Sequence, residues 1–96
     1  MFDFSAYQEF EWDDWNVKKN EQKHGVTMIE CEQVFADPGK RVMSDPRHST
    51  AKETRFILIG GTEAGRALYV AFTVRRNRIR VISARDLNRK ERYLYP

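Results

Sequence analysis

Ala67-Leu68-Tyr69-Val70-Ala71-Phe72-Thr73-Val74-Arg75-Arg76-Asn77-Arg78-Ile79-Arg80-Val81-Ile82-Ser83-Ala84-Arg85 is the stretch that decides the fold. Leu68, Val70, Phe72 and Val74 alternate with Ala67, Tyr69, Ala71 and Thr73, the period-two pattern of a half-buried strand. Arg76-Asn77 can make the tight connection into a second strand over 78–85. Regular alternation there places Arg78 and Arg80 on one face and Ile79, Val81, Ser83 and Arg85 on the other. Moving outward, Phe56-Ile57-Leu58-Ile59 is apolar on both faces, as a central strand should be. Arg41-Val42-Met43 reads as a short edge strand, and Gly60-Gly61-Thr62-Glu63-Ala64-Gly65-Arg66 as the turn into the hairpin.

Before these strands the periodicity is helical. Phe10-Glu11-Trp12 reads as a short strand, and Asp13 or Asp14 then offers an N-cap to a helix over 14–24 that Gly25 ends. Trp15 and Val17 are its only large apolar side chains, so its polar face is half exposed or put to use. Thr27-Met28-Ile29-Glu30 is a capping box, with Val26 and Cys31 placed as a hydrophobic staple. Met28, Cys31, Val34 and Phe35 form the buried stripe of this second helix, which Asp37-Pro38-Gly39 stops. Cys31 is accordingly read as a small core residue, not a nucleophile. A final helix is expected over 87–94, carrying Leu87, Tyr93 and Leu94. The order β-α-α-β-β-β-β-α predicts an α+β domain with an antiparallel sheet over 10–96, preceded by an N-terminal extension over 1–9.

The totals narrow the class of protein. Ninety-six residues, 41% hydrophobic and 12% aromatic, suit one folded domain with a modest core. A single cysteine excludes an internal disulfide and any cysteine-based metal site, and points to a reducing compartment. The start lacks the marks of a signal peptide, and no stretch is apolar enough to span a membrane, so the expected location is cytoplasmic. Charge is unevenly spread. Residues 1–46 carry 5 Lys and Arg against 10 Asp and Glu, whereas residues 47–96 carry 12 against 4. Five arginines fall between Arg75 and Arg85, a density that suits a polyanion such as nucleic acid and equally describes a solvated basic face.

Several chemistries lack their motifs. No Gly-rich loop leads from a strand into a helix, no serine-nucleophile motif is present, and His24 and His48 lack metal-ligand spacing. Neither a cofactor nor a metal is expected. Arg85 at a strand end is either paired with Asp86, Glu53 or the last helix, or is a clamp for phosphate. Lys23-His24-Gly25 at a helix end is either a favourable partner for the helix dipole or a proton-transfer site. His48, in the polar loop Asp45-Pro46-Arg47-His48-Ser49, reads as structural or solvated. A set of Arg, Lys and His suits metal-independent RNA cleavage by the 2′-hydroxyl, which needs a proton acceptor, cations around the phosphorane and an acid for the leaving oxygen.

The chain also resembles a known family. Phe10-Glu11-Trp12-Asp13, Lys23-His24-Gly25-Val26, Val34-Phe35-Ala36-Asp37-Pro38, Asp45-Pro46-Arg47, Glu53-Thr54-Arg55-Phe56, Ile79-Arg80-Val81-Ile82-Ser83-Ala84-Arg85 and Glu91-Arg92-Tyr93 follow in order the pattern of the BrnT toxins of bacterial type II toxin–antitoxin systems. That resemblance implies a RelE-like fold, a twisted antiparallel sheet with two N-terminal helices and a C-terminal helix packed against it. It implies an endoribonuclease that arrests translation and growth. It also implies a BrnA-type ribbon-helix-helix antitoxin, in a 2:2 complex that binds operator DNA. Carried over residue by residue, it makes His24, Lys23, Arg85 and Glu53 the catalytic candidates and Arg55 and Tyr93 candidates for RNA binding. Arg78 and Arg80 join them as phosphate-binding candidates. The alternatives are a non-catalytic basic module that binds nucleic acid, and an interaction protein whose basic face meets an acidic partner.

Overall fold

The computed structural model describes residues 9–95, so the extension expected over 1–9 lies, apart from Glu9, outside the described residues. The elements are β1 (Glu9–Phe10), α1 (Asp14–His24), α2 (Met28–Ala36), β2 (Arg41–Ser44), β3 (Arg55–Gly61), β4 (Ala67–Arg75), β5 (Arg78–Asp86) and a C-terminal 3₁₀ helix (Arg89–Leu94). The five strands form one sheet in the order β1-β5-β4-β3-β2. The β4–β5 hairpin forms as its alternation predicts, with Arg76 and Asn77 left-handed at φ 53° and 62°, the conformation of a type I′ turn. One pair departs from the expected antiparallel sheet. β1 runs parallel to β5, Glu9 opposite Arg78 and Phe10 opposite Ile79, and a further backbone bond runs from Glu11 N–H to the Ile79 carbonyl before α1 begins.

Both helices lie on one face of the sheet. Cys31, Val34 and Phe35 of α2, with Val26 just before it, pack on Leu58, Leu68, Val70, Phe72, Ile79, Val81 and Ala84. Each of the Val, Leu, Ile and Phe side chains among them contributes roughly 1.5–3 kcal/mol when fully buried. Phe35 and Phe72 meet edge to face with ring centroids 5.0 Å apart, and Phe10 and Phe56 extend the aromatic row. Burial raises the Cys31 thiol to about 12, consistent with a core role. Gly60 belongs to β3, not to the turn the sequence suggests, because α2 crosses directly above it. A Cβ there would lie 2.9 Å from the Val34 carbonyl oxygen.

The polar helix α1 has a specific use. Beyond Ile79, β5 has no neighbouring strand on its β1 side among the described residues, and α1 supplies hydrogen bonds to that edge from one face. Asn16 donates to the Val81 carbonyl (3.4 Å), and the buried Asn20 accepts from Ala84 N–H (3.2 Å). These two asparagines, one helical turn apart, close a sheet edge that would otherwise stay open.

β5 carries a bulge that overturns one sequence reading. Phe72 pairs with Val81 and Ala71 with Ser83, so Ile82 is an extra residue opposite no partner. The faces exchange after it. Ala84 turns into the core, and Arg85 emerges on the face away from the helices, opposite the side that uninterrupted alternation assigned to it. At the C-terminus the expected helix over 87–94 is a 3₁₀ helix that starts at Arg89, because Asn88 caps it in a capping box with Glu91. Leu87 is buried ahead of the cap.

Candidate active site

The face turned away from the helices receives Tyr69, Ala71, Thr73 and Arg75 from β4, Arg55 and Ile57 from β3, and Arg78, Arg80 and Arg85 from β5. Arg85 stands opposite Tyr69, with its guanidinium carbon 4.1 Å from the ring centroid. Its two terminal nitrogens fork onto the Glu91 carboxylate at 2.7 and 2.8 Å. That hydrogen-bonded pair shifts Glu91 below the usual carboxylate range and raises Arg85 further. The alternative of an ion pair with the last helix is therefore the arrangement found for Arg85.

The loop between β2 and β3 closes over the same face. Asp45 N–H donates to the Arg55 carbonyl (2.8 Å), and the Ser49 hydroxyl donates to the Asp45 carbonyl (2.7 Å) while accepting from Arg55 N–H (2.9 Å). These bonds fix Asp45, whose Oδ2 lies 2.7 Å from His48 Nδ1. Glu53 bridges two strands through Arg55 (3.1 Å) and Arg75 (3.2 Å), and the Arg55 hydrogen bond holds its carboxyl below the ordinary range. Asp45, His48, Arg55, Tyr69, Ala71, Ile82 and Ser83 together line a cleft of about 160 Å³. His48, which the sequence presents as a loop residue of no special setting, is thus part of a built site. Burial raises the Tyr69 hydroxyl above its ordinary value.

The remaining candidates are dispersed. Arg78 pairs with Glu9 (3.0 Å), and Arg80 with Asp13 (2.8 Å) and Glu11 (3.7 Å), along the β1 edge. Tyr93 projects into solvent at 77% exposure. Lys23 and His24 stand at the end of α1, outside the cleft, where His24 lies within electrostatic reach of Asp86. The guanidinium of Arg66 organises that corner. It forks onto Asp86 (2.6 and 3.0 Å), bonds Glu30 (3.1 Å), and caps α1 through the carbonyls of His24 (3.0 Å) and Gly25 (2.8 Å). Each nominated arginine (Arg55, Arg78, Arg80 and Arg85) is therefore held by a carboxylate. A second, wider depression of about 460 Å³ beside Glu32, Asp37 and Glu63 is acidic and unsuited to phosphate.

The family model for the ribonuclease toxin BrnT of type II toxin–antitoxin systems matches residues 12–91. The chain belongs to the BrnT family. It is a ribonuclease toxin of a type II toxin–antitoxin system, with an antitoxin partner. The crystal structure of the Brucella abortus ribonuclease toxin BrnT, at 1.1 Å resolution, superposes with a TM-score of 0.62 at 23% identity, over 84% of this chain and 97% of that one. That likeness concerns the fold, and agrees with a RelE-like α+β arrangement. No curated protein matches the sequence. Among the described residues no helix is long and apolar enough to cross a membrane.

Three features of this candidate site escape a reading of the sequence. Tyr69 is one residue among eight in a regular alternation and becomes distinctive only because Arg85 lies opposite it. The bulge at Ile82 has no local signal, since Ile and Ser both suit a strand. The Asp45–His48 pair did have one, because an acidic residue three positions before a histidine in a Pro-containing turn brings the two side chains together.

Proposed function

We propose that this BrnT toxin cleaves RNA without a metal ion, at the open face of the sheet, with His48 as the group that moves a proton. The observation that carries this reading is the cleft that sets the Asp45–His48 pair beside Arg55 and Tyr69, on the face where Arg85 emerges. With Nδ1 on Asp45, Nε2 is the nitrogen left for proton transfer. The 2′-hydroxyl gives up its proton and attacks the adjacent phosphorus. The bond from phosphorus to the 5′-oxygen breaks, and that oxygen takes a proton. The products are a 2′,3′-cyclic phosphate and a 5′-hydroxyl end. Arg55 and Arg85 offset the charge of the phosphorane, while Glu53 and Glu91 orient them. Arg78, Arg80 and Tyr93 extend the path of the RNA along the sheet.

The pair implied by the resemblance, Lys23 and His24, stands at the far side of Arg66 and Asp86 and is the second candidate for proton transfer. In this reading the toxin acts in the cytoplasm, arrests translation and growth, and is neutralised by a BrnA-type antitoxin in a 2:2 complex that binds operator DNA. The test is incubation with total RNA in excess EDTA, with His48→Ala, His24→Ala and Arg85→Ala in parallel. The expected result is cleavage by the parent that survives chelation and falls about 10²–10⁴-fold in His48→Ala. Full activity in His48→Ala with loss in His24→Ala would move the proton-transfer site to the end of α1. Loss of all cleavage on chelation would end the metal-independent reading.

A further inference from the structure

The bulge in β5 does more than redirect Arg85. An uninterrupted strand presents every second residue to a face, but here Ile82 and Ser83, adjacent in sequence, both line the cleft. Opposite them β4 contributes Ala71, the smallest side chain that still covers the backbone. The strands thereby build a floor that is apolar (Ala71, Ile82) with a hydroxyl at its margin (Ser83), walled by the Tyr69 ring and by the loop that carries Asp45 and His48. Such a floor gives nothing to a phosphate. It suits a flat, partly apolar group with polar edges.

The hydrogen bonding of the lining side chains separates two sets. Asp45 is taken up by His48, and Arg55 by Glu53. The hydroxyls of Tyr69 and Ser83, both half-buried, find no hydrogen-bond partner among the described residues. Half-buried hydroxyls that the protein leaves unpaired are available to read a ligand's edge. Tyr69 also divides two environments, since its ring carries the Arg85 cation and lines the cleft as well. A nucleotide has this same division, an anionic phosphate joined to a flat base.

We infer that the cleft is a subsite for one unstacked nucleobase, so that the substrate is single-stranded RNA whose base enters between Tyr69, Ala71, Ile82 and Ser83 while its phosphate meets Arg85. This rests on the proposed reading of the open face and adds to it a base-binding floor beside the charged groups that line the same cleft. Base pairing or stacking in a duplex hides the base, and the site therefore rejects double-stranded RNA.

The test is equilibrium binding, followed by fluorescence anisotropy, of a labelled single-stranded 2′-O-methyl oligonucleotide, which cannot be cleaved through its 2′-oxygen. It is compared with an abasic strand of equal length and charge. The parent should bind the base-bearing strand about tenfold or more tightly than the abasic one. Ser83→Ala should narrow that gap. Ala71→Leu, which fills the floor, should reduce it to about twofold or less, and both variants should hold the abasic strand as the parent does. Melting curves of both variants confirm that they are folded. Equal binding of the two strands by the parent would overturn the subsite and leave a charge-only surface. Cleavage is scored separately. A parent that cuts RNA without the gap refutes the subsite alone, whereas a gap without cleavage refutes the catalytic reading and leaves the base site standing.

Discussion

The two faces of the sheet are made from the same strands and obey different rules. On the helix side, Leu58, Leu68, Val70, Phe72, Ile79 and Val81 follow a strict alternation and are buried to within a few per cent. On the open side, ion pairs through Glu53 and Glu91 hold the strand arginines, and the Ile82 bulge between β4 and β5 opens there. The helix face depends on burial, which any apolar residue of suitable volume supplies in part. The open face depends on direction, because Arg85 reaches Tyr69 and Glu91 only if the strand has exchanged its faces first.

Substitution on the two faces should therefore fail in different assays. Phe72→Ala is expected to cost about 3–5 kcal/mol of stability, since it removes a fully buried ring that contacts Phe35 and Phe56. Urea unfolding measures this, and RNA cleavage should fall only as the folded fraction falls. Arg85→Ala should lower cleavage about 10²–10³-fold, the usual loss when one stabilising cation or donor is deleted. Its stability should fall by only about 1 kcal/mol, from loss of the Glu91 pair, far less than for Phe72→Ala. If Arg85→Ala is unfolded, or Phe72→Ala is folded and inactive, the division between faces is wrong.

Arg66 lies outside both faces and joins the helical layer to the sheet. It holds Asp86 of β5, Glu30 of α2 and two terminal carbonyls of α1 through a guanidinium only partly exposed. Arg66→Ala leaves these acceptors without their donor and should cost roughly 2–3 kcal/mol. Arg66→Lys restores the charge but not the fork, and should recover less than half of the loss. Full recovery with Lys would show that charge alone joins the layers.

Deletion of Ile82 sharpens the comparison further. It restores regular alternation while keeping Ala84 in the core and Arg85 on the open face, since Ala71–Ser83 and Phe72–Val81 are already partners. The fold should survive at a cost near 1 kcal/mol, a melting shift of about 4–8 °C. Binding of a base-bearing strand should weaken because the cleft has lost one of its floor residues.

The same contrast explains what could be read from the sequence. The helix-side core, both helices with their caps at Asp13 and Thr27, and the Arg76-Asn77 turn all follow from local patterns that set local conformation. Arg55, Arg85 and Glu53 stand out in the sequence as candidates. Their surroundings do not, because a bulge, a parallel β1 and the loop that aims His48 are each decided by contacts far apart in the chain. The polarity of α1 was visible as an anomaly, and its cause appears only when Asn16 and Asn20 are seen against the unpaired edge of β5.

The smallest effect expected concerns pH and the C-terminal segment. Tyr95 donates a hydrogen bond to Asp37, which also accepts from Gly61 and Gly39 N–H, and these bonds hold the Asp37 carboxyl below its ordinary value, Tyr95 first among them. Glu91 is lowered in the same way by Arg85. A depressed carboxylate stabilises the folded form fully above its unfolded pKa, about 4, and that stabilisation is lost as pH falls through the folded value. The segment from the 3₁₀ helix to Tyr95 should therefore stay docked at neutral pH and loosen below about pH 4. Amide exchange at Gly61 and Tyr95 should accelerate there, relative to core strands, before global unfolding. Asp37→Asn should exchange faster already at neutral pH and flatten the profile, because the group that titrates is gone. An unchanged profile in Asp37→Asn would assign the acid sensitivity to Glu91 and Arg85, on the open face itself.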